Sequence, residues 1–165
     1  MKRIGLFIDV NNIYYSLIRK HNKKLDYEAY YKYVADLGEI TQALIYGTYD
    51  ESVHGFLTRM RTIGFLAKYK ESPSPRHRVH WHTGICMDVV NMIDRLDMVV
   101  IGCADPNIEP LLTWIRSRGV DAVVFASCIN HILKESVTQY IEIPESMLEQ
   151  SATKKEQLDA APETA

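Results

Sequence analysis

The fold turns on the stretch MVVIGCADPNIEPLL, residues 98–112. Its first four residues, Met98-Val99-Val100-Ile101, form the short apolar run expected of a strand buried on both faces. The run passes through Gly102-Cys103-Ala104 and ends on Asp105. Pro106 suits the first turn of a helix, and Ile108, Leu111, Leu112 and Ile115 follow at helical spacing. In an open α/β sheet, ligands bind outside the carboxyl ends of the strands. Asp105 is therefore a candidate site residue, with a plain helix cap as the alternative.

The same grammar recurs on either side. RIGLFID, residues 3–9, reads as a buried first strand that also ends on an acid, Asp9. Asn11 or Asn12 is placed to cap the helix that follows, which runs to about His21 with Ile13, Leu17 and Ile18 inward. Residues 20–24 read as a polar loop, and residues 26–37 as a second helix stopped by Gly38. Tyr14, Tyr15, Tyr27, Tyr30, Tyr31 and Tyr33 crowd this region. They fit a half-buried helix pair better than a base-stacking platform, and a homodimer interface is a further use for them. Residues 39–49 carry a second strand centred on 43–46, residues 51–63 a helix, and residues 65–69 a third strand. Glu71-Ser72-Pro73-Ser74-Pro75 cannot hold regular structure, and the alternation of RHRVHWH, residues 76–82, suggests an edge strand or hairpin arm. Residues 84–96 are helical, with Ile85, Val89, Met92 and Ile93 at core spacing and Asp88 among them near the start. After the central strand and its helix, which ends at Gly119, come a strand (120–126), a short helix (130–136) and a last strand (138–143). Beyond Pro144 the chain turns polar and alanine-rich. The expected division is one domain over 1–144 and an extension over 145–165, disordered from about Ser151. Strands alternating with helices predict an α/β fold with a mostly parallel sheet and helices on both faces.

Composition narrows the function classes. With 47% hydrophobic and 24% charged residues in 165, the chain is globular. A formal net charge of -2 excludes a uniformly basic nucleic-acid binder and leaves only a local patch. That patch holds Lys68, Lys70, Arg76 and Arg78 against Glu71 alone, and is the natural place for phosphate contact. His77, His80 and His82 beside it have a spacing that admits zinc, but no cysteine or carboxylate in that segment completes a ligand set. Cys86, Cys103 and Cys128 lack C-x-x-C spacing and fit reduced thiols of a cytoplasmic protein. Neither a signal peptide nor a membrane-length apolar run is expected.

Asp9 and Asp105 at strand ends, and Asp88 near a helix start, converge at one end of the sheet if the two strands are neighbours. Clustered carboxylates repel unless a cation or a proton lies between them. Oxygen ligands of this kind suit Mg2+ or Mn2+, which activates water and stabilises in-line attack on a phosphodiester. Asn12 and Asn107 would add neutral oxygens or orient waters. No G-x-G-x-x-G follows the first strand and no P-loop occurs, so a nucleotide cofactor is not expected. No G-x-S-x-G supports a hydrolase elbow. A phosphatase-type aspartyl nucleophile at Asp9 lacks its second acid, because Asn11 stands there.

These pieces resemble the NYN domain family, a PIN-like group that includes LabA-like proteins. The resemblance is carried by Phe7-Ile8-Asp9 with Asn12, by ALIYGTY at residues 43–49, and by the acid pair Asp88 and Asp94. It is completed by Gly102-Cys103-Ala104-Asp105-Pro106-Asn107-Ile108-Glu109-Pro110-Leu111. It spans residues 3–143 and implies a PIN-like α/β/α sandwich and, in active members, metal-dependent RNA cleavage. Asp9, Asp88 and Asp105 carry over as the catalytic, metal-binding acids, with Asn12 and Asn107 in support. Arg76, Arg78 and His80 would then guide RNA. The chain departs from the family pattern where Asn107 replaces a second acid, Ile108 an aromatic residue and Cys103 a small hydroxyl residue. Ile85-Cys86-Met87 stands where a lysine and a glycine usually precede the helix acid. These departures also admit a catalytically weakened domain that binds RNA or a protein as a regulator.

Overall fold

The computed structural model describes residues 1–74 and 79–151. Six strands form one parallel sheet in the order β4-β3-β1-β5-β6-β7. They are β1 (Arg3–Asp9), β3 (Glu39–Tyr49), β4 (Leu66–Glu71), β5 (Met98–Gly102), β6 (Asp121–Ala126) and β7 (Gln139–Glu142). The helices are α1 (Val10–His21), α2 (Tyr27–Leu37), α3 (His54–Ile63), α4 (His82–Met92), α5 (Glu109–Ser117) and α6 (His131–Ser136). A separate antiparallel pair joins β2 (Lys23–Leu25) to β8 (Leu148–Ser151).

β1 lies at the centre because its side chains are apolar on both faces. Ile4, Leu6, Phe7 and Ile8 are fully buried, each stabilising the fold by about 1.5–3 kcal/mol relative to exposure. From β1 the chain steps outward through β3 to β4, then returns across the sheet to β5 and continues through β6 to β7. Right-handed crossovers set α1, α2 and α3 on one face and α4, α5 and α6 on the other. The direction of winding therefore reverses between β1 and β5, the crevice where doubly wound sheets hold their ligands. The α/β/α sandwich with a parallel central sheet is the expected architecture.

Local details differ from expectation for identifiable reasons. Asp9, not Asn11 or Asn12, caps α1, its Oδ1 accepting the Asn12 N–H at 3.1 Å. Residues 23–25 form β2 rather than loop, because β8 supplies them with partners 123 to 128 residues away. The chain after Pro144 runs through a 3-10 turn (Glu145–Met147) into β8, and the Asp26 N–H donates to the Met147 carbonyl at 2.8 Å. Val79 to Trp81 form no strand, and the helix begins at His82, two residues before Gly84. Asp88 thus sits in the middle of α4 and not near its start. Arg76 and Arg78 lie outside the described residues, as does the tail from residue 152 on.

The tyrosines serve this chain's own packing. Tyr27 and Tyr30 are buried, Tyr30 stacks on Phe125 at 4.0 Å, and its hydroxyl donates to the Phe125 carbonyl at 2.8 Å. Gly102 makes room for it: a Cβ there would stand 3.0 Å from the Tyr30 hydroxyl. None of the described helices is long and apolar enough to cross a membrane.

Candidate metal centre

Parallel register puts the site together. Ile8 pairs with Gly102, so one residue further on Asp9 and Cys103 stand side by side at the β1–β5 crevice. On its other side Asp9 pairs with Tyr46, which in turn pairs with Lys68. Neighbours in a parallel ladder point to the same face. Cys103, Asp9, Tyr46 and Lys68 therefore form one row across four strands, under α4.

Three contacts hold that row against the helices. The Asn12 Oδ1 accepts the Ala104 N–H at 3.0 Å, tying the first turn of α1 to the exit of β5. Asn11 Nδ2 donates to Thr48 Oγ1 at 2.8 Å, tying the same turn to β3. Trp81 Nε1 donates to the Gly47 carbonyl at 2.9 Å while its ring packs on Tyr46 and lies under Lys70. That anchor delivers His82, the first residue of α4, to the crevice.

Asp9 is only 4% exposed. Burial raises its carboxyl above the ordinary aspartate range, opposed by the Asn12 N–H and by His82, and reinforced by Asp105. Asp105 caps the short turn Pro106–Ile108, its Oδ1 accepting the Asn107 N–H at 2.8 Å, while its Oδ2 lies 3.4 Å from His82 Nε2. Asn107 is exposed and acts on Asp105 through its backbone. His80 is exposed, with its ring 5.6 Å from that of His82, and its field also reaches Asp9.

Asp88 has other company. Its Oδ2 accepts the Tyr46 hydroxyl at 2.7 Å, and Lys68 Nζ donates to both of its oxygens at 2.7 Å. Burial, and then the bond to Asp88, pushes the Tyr46 phenol far above its usual value. Asp88 is thus held by Tyr46 and Lys68, Asp105 lies against His82, and His82 offers a nitrogen within 4.8 Å of an Asp9 oxygen. Lys68 brings from β4 a cation of the kind missing just before Asp88 in sequence.

Among the described residues, Asp9, His82 and Cys103 offer ligand atoms within 4.8 Å of one another. The histidine spacing read along the chain found neither carboxylate nor thiol, since both arrive from other strands. Cys103 is fully buried, and burial followed by the nearby Asp9 charge pushes its thiol well above the ordinary cysteine value. In sequence, Lys68 reads as part of the basic patch, Cys103 as a reduced thiol and Tyr46 as a strand residue; none reads as a neighbour of Asp9. The signal that finds them is their register with Asp9.

A parallel α/β/α sandwich with acids gathered at its switch point defines a PIN-like domain. A family model, NYN domain, matches residues 3–147, and the chain belongs to that family, within the PIN-like nuclease superfamily. It is also similar to a crystallised protein of unknown function from Vibrio parahaemolyticus RIMD 2210633. The two superpose with a TM-score of 0.79 at 20% identity, over 90% of this chain and 96% of that one. No curated protein matches the chain.

Nucleases of this superfamily generally use divalent metal ions, and the donor set fits one. Asp9 and Asp105 each commit one oxygen to a backbone N–H; the other oxygen of Asp105 lies near His82, and Asp9 offers an oxygen within 4.8 Å of a His82 nitrogen. Two carboxylates in each other's field, one of them buried, gain from a cation between them.

Proposed function

We propose that this chain is a metal-dependent ribonuclease of the NYN type, with Asp9 and Asp105 holding Mg2+ or Mn2+ at the β1–β5 crevice. The observation that carries this reading is the pair of carboxylates brought from separate strands to the switch point, each with an oxygen to spare. A bound divalent ion would supply an activated water and charge stabilisation for phosphodiester hydrolysis. The imidazole of His82 favours Mn2+ over Mg2+, which prefers oxygen alone.

The protein's own groups have separable tasks. Asn12 fixes the distance between the Asp9 and Asp105 segments through the Ala104 N–H. Asp88 keeps Lys68 and the Tyr46 hydroxyl in place beside the acids, so a positive charge faces an incoming phosphate. His80, Arg76 and Arg78 would guide the RNA backbone, with Lys70 over Trp81 adding charge to the same approach. Asn107 would assist by holding Asp105 in its capping rotamer.

The test is Mn2+-dependent cleavage of single-stranded RNA by the full chain. Asp105→Asn removes one charge and is expected to lower the rate by ~10²-fold or more, about 3 kcal/mol, with the fold intact by circular dichroism. Undiminished cleavage in that variant eliminates the metal mechanism. The engagement of both Asp88 oxygens by Tyr46 and Lys68, together with an amide at Asn107, favours a second reading: a catalytically weakened regulator that binds RNA or a protein. Calorimetry separates the two, since no Mn2+ binding at millimolar metal selects the regulator.

A further inference from the structure

We propose that Asp9, His82 and Cys103 form a thiolate-containing site for a zinc-class ion, overlapping the hard-ion site through Asp9. The three ligand atoms come from the end of β1, the first residue of α4 and the exit of β5, and already lie within 4.8 Å of one another. Tetrahedral zinc holds such ligands about 3.2–3.8 Å apart, so side-chain rotation of an ångström or so closes the site. Asp105 Oδ2, at 3.4 Å from His82 Nε2, lies outside that three-donor group and is placed as a partner to the imidazole. The Asp105 N–H points at Cys103 Sγ at 3.5 Å, the kind of weak donor that supports a metal-bound thiolate.

A buried cysteine in a strand is ordinarily a small apolar filler. Cys103 differs because it stands at the strand's mouth, beside a carboxylate and an imidazole, where its sulfur is one corner of a donor triangle. Mixed sulfur, nitrogen and oxygen ligands select Zn2+ over Mg2+ by softness, and over Mn2+ by the general order of affinities. Binding transfers the Cys103 thiol proton to solvent and leaves a thiolate on the metal. Because Asp9 belongs to both sets, zinc in this site excludes the activating ion. That consequence rests on the hard-ion reading above; the zinc site itself does not.

Cobalt(II) is the probe, since it replaces zinc and reports sulfur ligation directly. The full chain titrated with Co2+ is expected to show a sulfur-to-cobalt absorption in the near ultraviolet and the visible bands of tetrahedral cobalt, both abolished by one equivalent of Zn2+. Cys103→Ser should remove the ultraviolet band, whereas Cys128→Ser and Cys86→Ser should keep it. His82→Gln should retain the ultraviolet band and weaken cobalt binding at least tenfold, which guards against a Cys103 variant that fails to fold. A band that persists in Cys103→Ser, that follows Cys128, or that never forms overturns the site. Overlap is read by electron paramagnetic resonance, where Zn2+ should release bound Mn2+ into the free-ion signal. Manganese that stays bound beside zinc overturns the shared Asp9. A cobalt–thiolate band in a chain that, freed of cobalt and zinc and supplied with Mn2+, cleaves no RNA refutes the ribonuclease reading and leaves the zinc site standing.

Discussion

At the scale of single residues, Asp9 does two jobs whose demands conflict. It caps α1, which favours an oxygen acceptor of either charge, and it holds a carboxylate in a crevice where burial opposes ionisation. Its raised pKa means the folded chain binds this proton more tightly than the unfolded chain. The resulting stabilisation is complete below the ordinary aspartate range and is lost as pH rises through the raised value. Asp9→Asn keeps the cap and removes the charge. In metal-free solution at neutral pH it should raise stability, and the gain should shrink on acidification. Thermal melts of both proteins from pH 4 to 8 check this; parallel curves would refute it. Tyr46 gives a second expectation. Its hydroxyl donates to a charged, mostly buried carboxylate, so Tyr46→Phe should cost about 1.5–3 kcal/mol in urea denaturation.

At the scale of elements, the site depends on how two turns are clamped. The β1–α1 turn and the β5 exit are neighbours by register, but their spacing is set by one side chain, Asn12, on the Ala104 N–H. Asn12→Ala leaves that partly buried N–H without its partner, at a cost of about 1–3 kcal/mol. It should also weaken Mn2+ binding measured by calorimetry while the secondary structure persists. Binding at unchanged affinity would show that the clamp serves stability alone. The β2–β8 pair makes a comparable demand at the opposite end of the sequence. A chain cut after Pro144 loses β8 and the buried Met147, and uncovers Leu25 and the Asp26 N–H. It should be less stable by about 2–5 kcal/mol in denaturant titration, the scale of a lost core side chain with its cavity. A cut chain as stable as the full one would show β8 to be ornamental.

At the scale of the whole molecule, the central sheet and the switch point were legible because their signals are local. Runs such as RIGLFID and MVVIG declare strands buried on both faces wherever they occur, and alternation with helices then implies parallel order. β1 and β5 match that expectation in full. The acids at their ends follow from position alone, since an aspartate closing a buried strand must emerge at the sheet's carboxyl edge. Asp88 was harder. The helix starts at His82 rather than Gly84, and the groups that engage Asp88 (Tyr46 and Lys68) come from β3 and β4. β2 was illegible because three polar-flanked residues carry no strand signal without the partner that completes their hydrogen bonds.

Sequence by itself thus determined the parallel α/β architecture, the burial of β1 and β5, and an acid at the carboxyl end of each, all consequences of apolar runs and turn chemistry within a few residues. Only the tertiary structure decided which groups share one rim. His82 and Cys103 join Asp9, while Tyr46 and Lys68 draw Asp88 to themselves. The physical reason is that side-chain neighbours across a sheet are set by strand register and crossover direction, relations between segments tens of residues apart that no local pattern records.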